Sequence, residues 1–194
     1  MASNSRPVPS QIAHLGLRTK NHEKLIRFYQ TLLGATVVLE NDFISVLTWD
    51  QEHHRLAIIH DATAVPKQPN SSGMDHIALK FDSLADLLQV YRLAKEGGVE
   101  PKFCLNHGAT TSLYYLDPDN NEVEIQIEGF DNVEDMQKHM KSLDPKKVRA
   151  VRFDAEDLLR RFEAGEDDET LRKAGFIGPQ PSHVGTSTAA IVAQ

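Results

Sequence analysis

Cysteine is nearly absent from this chain of 194 residues: Cys104 stands alone, which excludes an internal disulfide. The opening residues, MASNSRPVPSQ, lack the apolar run of a secretory signal, and together these absences point to a reducing, cytoplasmic setting. No apolar run approaches the roughly eighteen residues of a membrane span, so the protein reads as soluble. A basic cluster is also missing. The net charge of −7 argues against nucleic acid or an anionic membrane as partner. What is present is a globular composition, 40% hydrophobic and 25% charged, long enough for one domain of about 100–150 residues with an appendage.

A repeat organises the chain. The segment IAHLGLRTKNHEKLIRFYQ (12–30) recurs in weaker form as MDHIALKFDSLADLLQVYR (74–92). At this offset of 62 residues His14 falls on His76, Leu17 on Leu79, Leu25 on Leu87 and Tyr29 on Tyr91. Each copy opens with a short alternating strand and continues into a helix, capped by Asn21 in the first and Ser83 in the second. Leu25, Phe28, Tyr29 and Leu32 follow helical spacing, as do Leu84, Leu87, Leu88 and Tyr91.

Glycines end both helices, Gly34 in one copy and Gly97 with Gly98 in the other, and three strand-like runs follow each. The spacing predicts these strands near 35–40, 44–49 and 55–60, then near 101–106, 111–116 and 122–128. The expected architecture is α+β: paired βαβββ units, about 12–63 and 74–129, forming a curved-sheet module over residues 10–130. Beyond it, FDAEDLLRRFEAGEDDETLRKAG reads as a helix capped by Asp154 followed by a short charged helix, a helical C-terminal extension over 131–178. The last stretch, 179–194, has no periodicity and reads as a flexible tail.

Three residues stand out as metal ligands. His14 and His76 occupy matching places on the two opening strands, and Glu124 lies on the final strand. Two imidazoles and one carboxylate on one face of a divalent ion leave positions free for substrate and oxygen, the arrangement suited to non-haem Fe(II). Mn(II) or another divalent metal is accepted by similar donors. With nine histidines in the chain, the internal symmetry of His14 and His76 matters more than their residue type.

The run LDPDNNEVEIQ (116–126) is similar to the Asp-Pro-x-Gly-Asn-x-x-Glu marker of the vicinal-oxygen-chelate (glyoxalase/bleomycin resistance/extradiol dioxygenase) superfamily. The resemblance spans residues 10–130 and implies that Glu124 is a metal ligand. Asn120 stands where glycine is usual, and asparagine tolerates the left-handed turn required there. Within the superfamily, His107-GATTS-LYYLDPDNNEVE resembles the extradiol signature, with His107, Leu113, Tyr114, Asp117, Pro118 and Glu124 at its positions. HHRLAII (53–59) resembles the His-His-x-Leu-Ala strand of the same enzymes, whose second histidine, here His54, is a pocket acid–base.

The resemblance therefore implies an Fe(II)-dependent extradiol ring-cleavage dioxygenase of single-module type, acting on a small aromatic diol with O2. His54, Tyr114 and His107 would handle protons beside the metal.

Plainer readings stand beside these. His54 also reads as an exposed hairpin histidine, and His107 as a loop residue before Gly108. Tyr115 competes with Tyr114, since the two point to opposite faces, and strand parity with Glu124 favours Tyr114. His60 is a further ligand option that would move the chemistry towards a glyoxalase-like lyase or isomerase. A non-catalytic protein that sequesters aromatic ligands is the third possibility on this scaffold. Tyr29 and Tyr91 read as core residues, and His22, His139 and His183 as surface or tail. Because one chain contains all three ligands, a partner is not required to complete the site, although homo-oligomer formation is compatible with the sequence.

Overall fold

Strand alternation and helical spacing resolve into two copies of one unit. The structure is a computed structural model, and it describes residues 6–143 and 150–173. The first unit runs β1 (Leu15–Thr19), α1 (His22–Leu33), β2 (Thr36–Glu40), β3 (Ile44–Thr48), β4 (Leu56–His60). The second runs β5 (His76–Lys80), α2 (Leu84–Glu96), β6 (Phe103–Asn106), β7 (Thr110–Leu116), β8 (Glu122–Glu128). After it come α3 (Val133–Ser142), β9 (Val151–Arg152), α4 (Ala155–Glu163) and α5 (Asp168–Arg172). The α+β architecture of paired βαβββ units is as expected from the repeat.

In each unit the first and last strands pair in parallel and the others antiparallel, giving sheet orders β1-β4-β3-β2 and β5-β8-β7-β6-β9. Each helix packs on one face of its own sheet. On α1 the buried side carries Leu25, Ile26, Phe28, Tyr29 and Leu32; on α2 it carries Leu84, Leu87, Leu88, Tyr91 and Ala94. Beneath α1 lie Leu17, Leu47, Leu56 and Ile58, and beneath α2 Leu113, Tyr115, Val123 and Ile125, all in one continuous core. Each fully buried leucine contributes about 1.5–3 kcal/mol, so the two helix–sheet layers supply most of the cohesion.

The units are joined through their helices and one turn. α1 packs on α2, where any side chain at Gly97 would overlap Thr31. The Tyr29 hydroxyl donates to Asp117 in the β7–β8 turn at 3.3 Å, and the Lys67 amide donates to the Asp119 carbonyl. Burial, with Asp117 beside it, raises the Tyr29 pKa, so the phenol keeps its proton and the bond persists.

Local chemistry explains the element ends. Gly34 adopts φ 63° and returns its amide to the last turn of α1. Ser83 caps α2 by accepting from the Asp86 amide. Asn21 sits at the cap of α1 but its side chain makes no capping bond; the local bond instead runs from its amide to Thr19 Oγ1 at 2.8 Å. Asn120, at φ 66°, supplies the left-handed residue of the β7–β8 turn in place of glycine.

The extension departs from expectation in two places. Asp154 caps α4 and Asp167 caps the short α5 as their sequences suggest. Helix α3 and strand β9 were not anticipated. α3 carries Val133, Met136 and Met140 at helical spacing among charged and polar residues, but it buries none of them, so it adds nothing to the core. β9 is only two residues long and lengthens the second sheet by pairing with β6. α4 lies against α2, where Tyr91 and Lys95 both donate to Glu156. The tail expected over 179–194 lies outside the described residues. No helix among the described residues is long and apolar enough to cross a membrane.

Candidate metal and catalytic site

Strand parity sorts the second unit into two faces. β8 pairs with β5 and β7 so that His76 stands opposite Glu122, and Tyr114 opposite Glu124. Val123, Ile125, Leu113 and Tyr115 then point to α2, while Glu122, Glu124, Tyr114, Ser112 and His76 share the other face. The choice between the adjacent tyrosines is decided by this register. Tyr115 is 0% exposed among core aliphatics, and its hydroxyl has no hydrogen-bond partner among the described residues. Tyr114 sits among the polar groups.

A chain of contacts links those groups. His76 Nε2 lies 3.1 Å from the Glu124 carboxylate, which is 4% exposed. His76 Nδ1 is 2.9 Å from Asp75, so the aspartate orients the ring and leaves Nε2 directed at Glu124. The Tyr114 hydroxyl is 2.9 Å from His107 Nε2 and also interacts with Glu124. Phe103 stacks on Tyr114 at 4.6 Å between ring centres and holds the phenol in place.

Electrostatics assign the protons. Burial, with Glu124 beside it, pushes the Tyr114 pKa well up, so this residue acts as a neutral donor. Burial holds His107 below the ordinary histidine value, Glu124 opposing and His76 assisting. A neutral His107 and an intact phenol share one hydrogen bond, His107 Nε2 to the Tyr114 hydroxyl, whose direction follows the histidine tautomer.

The first unit places the remaining residues differently. His14 immediately precedes β1, and its ring packs on His54 at 4.6 Å between centres. Burial lowers the His54 pKa, with His53 and His14 adding to the effect and Glu52 opposing it. Among the described residues, no hydrogen bond, ion pair or ring contact joins His14 or His54 to His76 or Glu124. His60 occupies the helix side of its sheet, in register with Thr19; it hydrogen-bonds the buried Ser45 at 2.9 Å and stacks on His22 at 3.9 Å. It therefore faces away from His14, and His22 is a packing partner of His60 rather than a bare surface residue. His139 packs on Phe130. His183 lies outside the described residues.

The donors fit a divalent ion. Two ligand atoms at right angles on an octahedral ion with bonds of about 2.2 Å lie about 3.1 Å apart. That is the separation of His76 Nε2 and Glu124 Oε2. A carboxylate as buried as Glu124 also requires a positive partner. Among the described residues, the set of three candidate donors lying mutually within 4.8 Å is Asp75, His76 and Glu122. The Asp75 side chain is 82% exposed and already engages the imidazole, so it serves as the orienting group, while the buried Glu124 is the better ligand. Asp75, Glu122 and Phe103 escaped the sequence reading. Asp75 and Glu122 were readable, by adjacency to His76 and by the two-residue period from Glu124; Phe103 required the β6–β7 register.

Paired βαβββ units with a histidine–carboxylate pair beside a histidine–tyrosine pair are a fold and a donor set of the glyoxalase type. The chain belongs to the Glyoxalase/Bleomycin resistance protein/Dioxygenase superfamily, whose family model matches residues 11–125. It is 44% identical over 131 residues to biphenyl-2,3-diol 1,2-dioxygenase 2 of Rhodococcus globerulus, covering 67% of this chain and 69% of that protein. It is 39% identical over 135 residues to biphenyl-2,3-diol 1,2-dioxygenase 3 of the same organism, covering 69% and 71%. Among solved structures, a glyoxalase/bleomycin resistance protein/dioxygenase domain from Frankia sp. EAN1pec superposes with a TM-score of 0.52 at 16% identity, covering 62% of this chain and 93% of that one, a likeness of fold.

Proposed function

We propose that this protein is an Fe(II)-dependent extradiol dioxygenase that opens the ring of a catechol-type aromatic diol with O2. The observation that carries the reading is the row His107, Tyr114, Glu124 beside His76, in a chain 44% identical to a biphenyl-2,3-diol 1,2-dioxygenase. His14, His76 and Glu124 are assigned as the metal ligands, and His54, Tyr114 and His107 as the proton-handling groups. When bound, ferrous iron supplies a common seat for both diol oxygens and for O2, which brings together reactants that do not combine freely in solution.

The side chains account for the rest. A diol proton must leave for the substrate to bind as an anion, and a neutral His107 or His54 accepts it at ordinary pH. Tyr114 remains a phenol and donates to charge that develops on oxygen nearby. Phe103 supports Tyr114 from behind. Residues 10–130 form the catalytic module in this reading, and the helical extension buttresses the second unit through Glu156. A glyoxalase-like lyase would draw another ligand from β4, but its one candidate, His60, turns to the helix side.

The reading is tested by loading the protein with Fe(II) under anaerobic conditions, adding a panel of catechols including a biphenyl diol, and admitting air. Iron-dependent oxygen uptake with a yellow ring-opened product is expected, abolished in His76→Ala and Glu124→Ala. Tight stoichiometric iron with no uptake on any catechol would remove the ring-cleavage assignment.

A further inference from the structure

The turn that carries His107 is held from behind by a residue outside the row of proton-handling groups. Register sets Asn106 opposite Thr111 at the end of β6, and both side chains are 0% exposed on the helix side of the second sheet. His107 follows Asn106 and opens the β6–β7 turn. A buried amide must have its donors and its acceptor satisfied, and Asn106 achieves this in one orientation. Its Oδ1 accepts from the Gly108 amide at 2.7 Å, while its Nδ2 donates to Thr111 Oγ1 at 2.9 Å and to the Arg172 carbonyl at 3.0 Å.

The last of these bonds reaches beyond the paired units. Arg172 is the final residue of α5 in the C-terminal extension, and its guanidinium engages the Glu128 carbonyl, Asp131 and Asp168, which seats α5 against the end of β8. Two backbone bonds fix the same turn, from the His107 amide to the Thr110 carbonyl at 2.8 Å and from the Gly129 amide to the Ala109 carbonyl at 2.7 Å. From this turn the His107 ring meets the Tyr114 hydroxyl at 2.9 Å. A shift of about 1 Å in the turn breaks such a bond, and misplacement on that scale costs about 100-fold in rate.

We infer that Asn106 is a positioning residue for His107: its side chain fixes the turn from which the imidazole projects and ties that turn to the Arg172 carbonyl of the C-terminal extension. The inference rests on the ring-cleavage reading for what His107 does, and on the hydrogen bonds alone for how the turn is held. Asn106 lies on the opposite face of the sheet from Tyr114 and Glu124, so it acts through the backbone of the turn and not on the reacting groups. The extension then serves the site as well as the stability of the second unit.

The test uses the full-length, iron-loaded protein. Asn106→Ala removes all three side-chain bonds. Thr111→Val keeps the shape of a buried side chain and removes only the hydroxyl that accepts from Asn106 and lies 3.4 Å from the Arg172 carbonyl, so it decides the matter if Asn106→Ala fails to fold. In deuterium exchange read by mass spectrometry, segment 107–110 is expected to exchange about tenfold faster in Asn106→Ala and by a smaller factor in Thr111→Val, with α2 and β8 unchanged. In oxygen uptake at matched iron content, kcat is expected to fall about 10- to 100-fold in Asn106→Ala and about 3- to 10-fold in Thr111→Val. Both substitutions are repeated in His107→Gln, where nothing remains to be placed, and each should then cost less than about twofold further. Equal losses with and without His107, or unchanged exchange over 107–110 in both variants, would overturn the inference. A loosened turn in a protein that consumes no oxygen on any catechol supports the hold on the turn and counts against ring cleavage instead.

Discussion

Tyr114 and Tyr115 are adjacent in sequence and opposite in consequence, so replacing each with phenylalanine isolates what the hydroxyl on each face does. Tyr114→Phe removes a hydroxyl 2.9 Å from His107 Nε2 and under the influence of the Glu124 charge, while the stack on Phe103 survives. A buried hydrogen bond to a charged group carries about 1.5–3 kcal/mol, and each 1.36 kcal/mol of lost transition-state stabilisation is tenfold in rate. His107 is only half-buried, so water can replace part of the loss, and kcat is expected to fall about 10- to 100-fold with iron content unchanged. Tyr115→Phe removes a buried hydroxyl that has no partner among the described residues, so activity should stay within about twofold and thermal stability should hold or rise slightly. The assay is steady-state oxygen uptake on iron-matched samples, with melting temperatures in parallel. Equal losses in the two variants, or the larger loss in Tyr115→Phe, would refute the face assignment.

Burial lowers the His107 pKa, and the neutral ring is the form that accepts the substrate proton, so activity should persist below pH 6.5 and fall only as pH drops through the lowered value; His107→Gln should flatten that limb in a kcat/KM profile. Asp75→Asn removes the carboxylate that orients His76 and should weaken iron binding about 10- to 100-fold in a competitive chelator titration, with little change in melting temperature. Ser83→Ala deletes the α2 cap and should cost about 1 kcal/mol in denaturant unfolding with kcat unchanged.

What could be read in advance was whatever depends on local period. Matching His14 with His76 and Tyr29 with Tyr91 exposed the two-unit plan, because helix stripes and strand alternation are written in adjacent residues. The same two-residue period placed Tyr114 with Glu124. It also held the answer for His60, which shares parity with the buried Leu56 and Ile58 and so belongs to the helix side. Helix α3 was readable from its Asn132 cap and the spacing of Val133, Met136 and Met140 but was passed over, whereas β9 was hidden because two residues carry no period. The side-chain cap on α1 failed for a different reason. Thr19, buried at the end of β1, takes the Asn21 amide, and the asparagine backbone is not in the extended form that Ser83 adopts. Least legible was where His14 stands relative to Glu124, which depends on how sheet faces pack, whereas strand parity sets only which face a residue occupies.

The most direct test of ring cleavage is the fate of isotopically labelled O2. Protein loaded with Fe(II) is given a catechol under the labelled gas, and the product is analysed by mass spectrometry and absorbance. Cleavage beside the diol predicts a yellow hydroxy-aldehyde or hydroxy-ketone acid carrying both labelled atoms. A colourless dicarboxylate from cleavage between the hydroxyls, or a product free of label, would contradict the assignment.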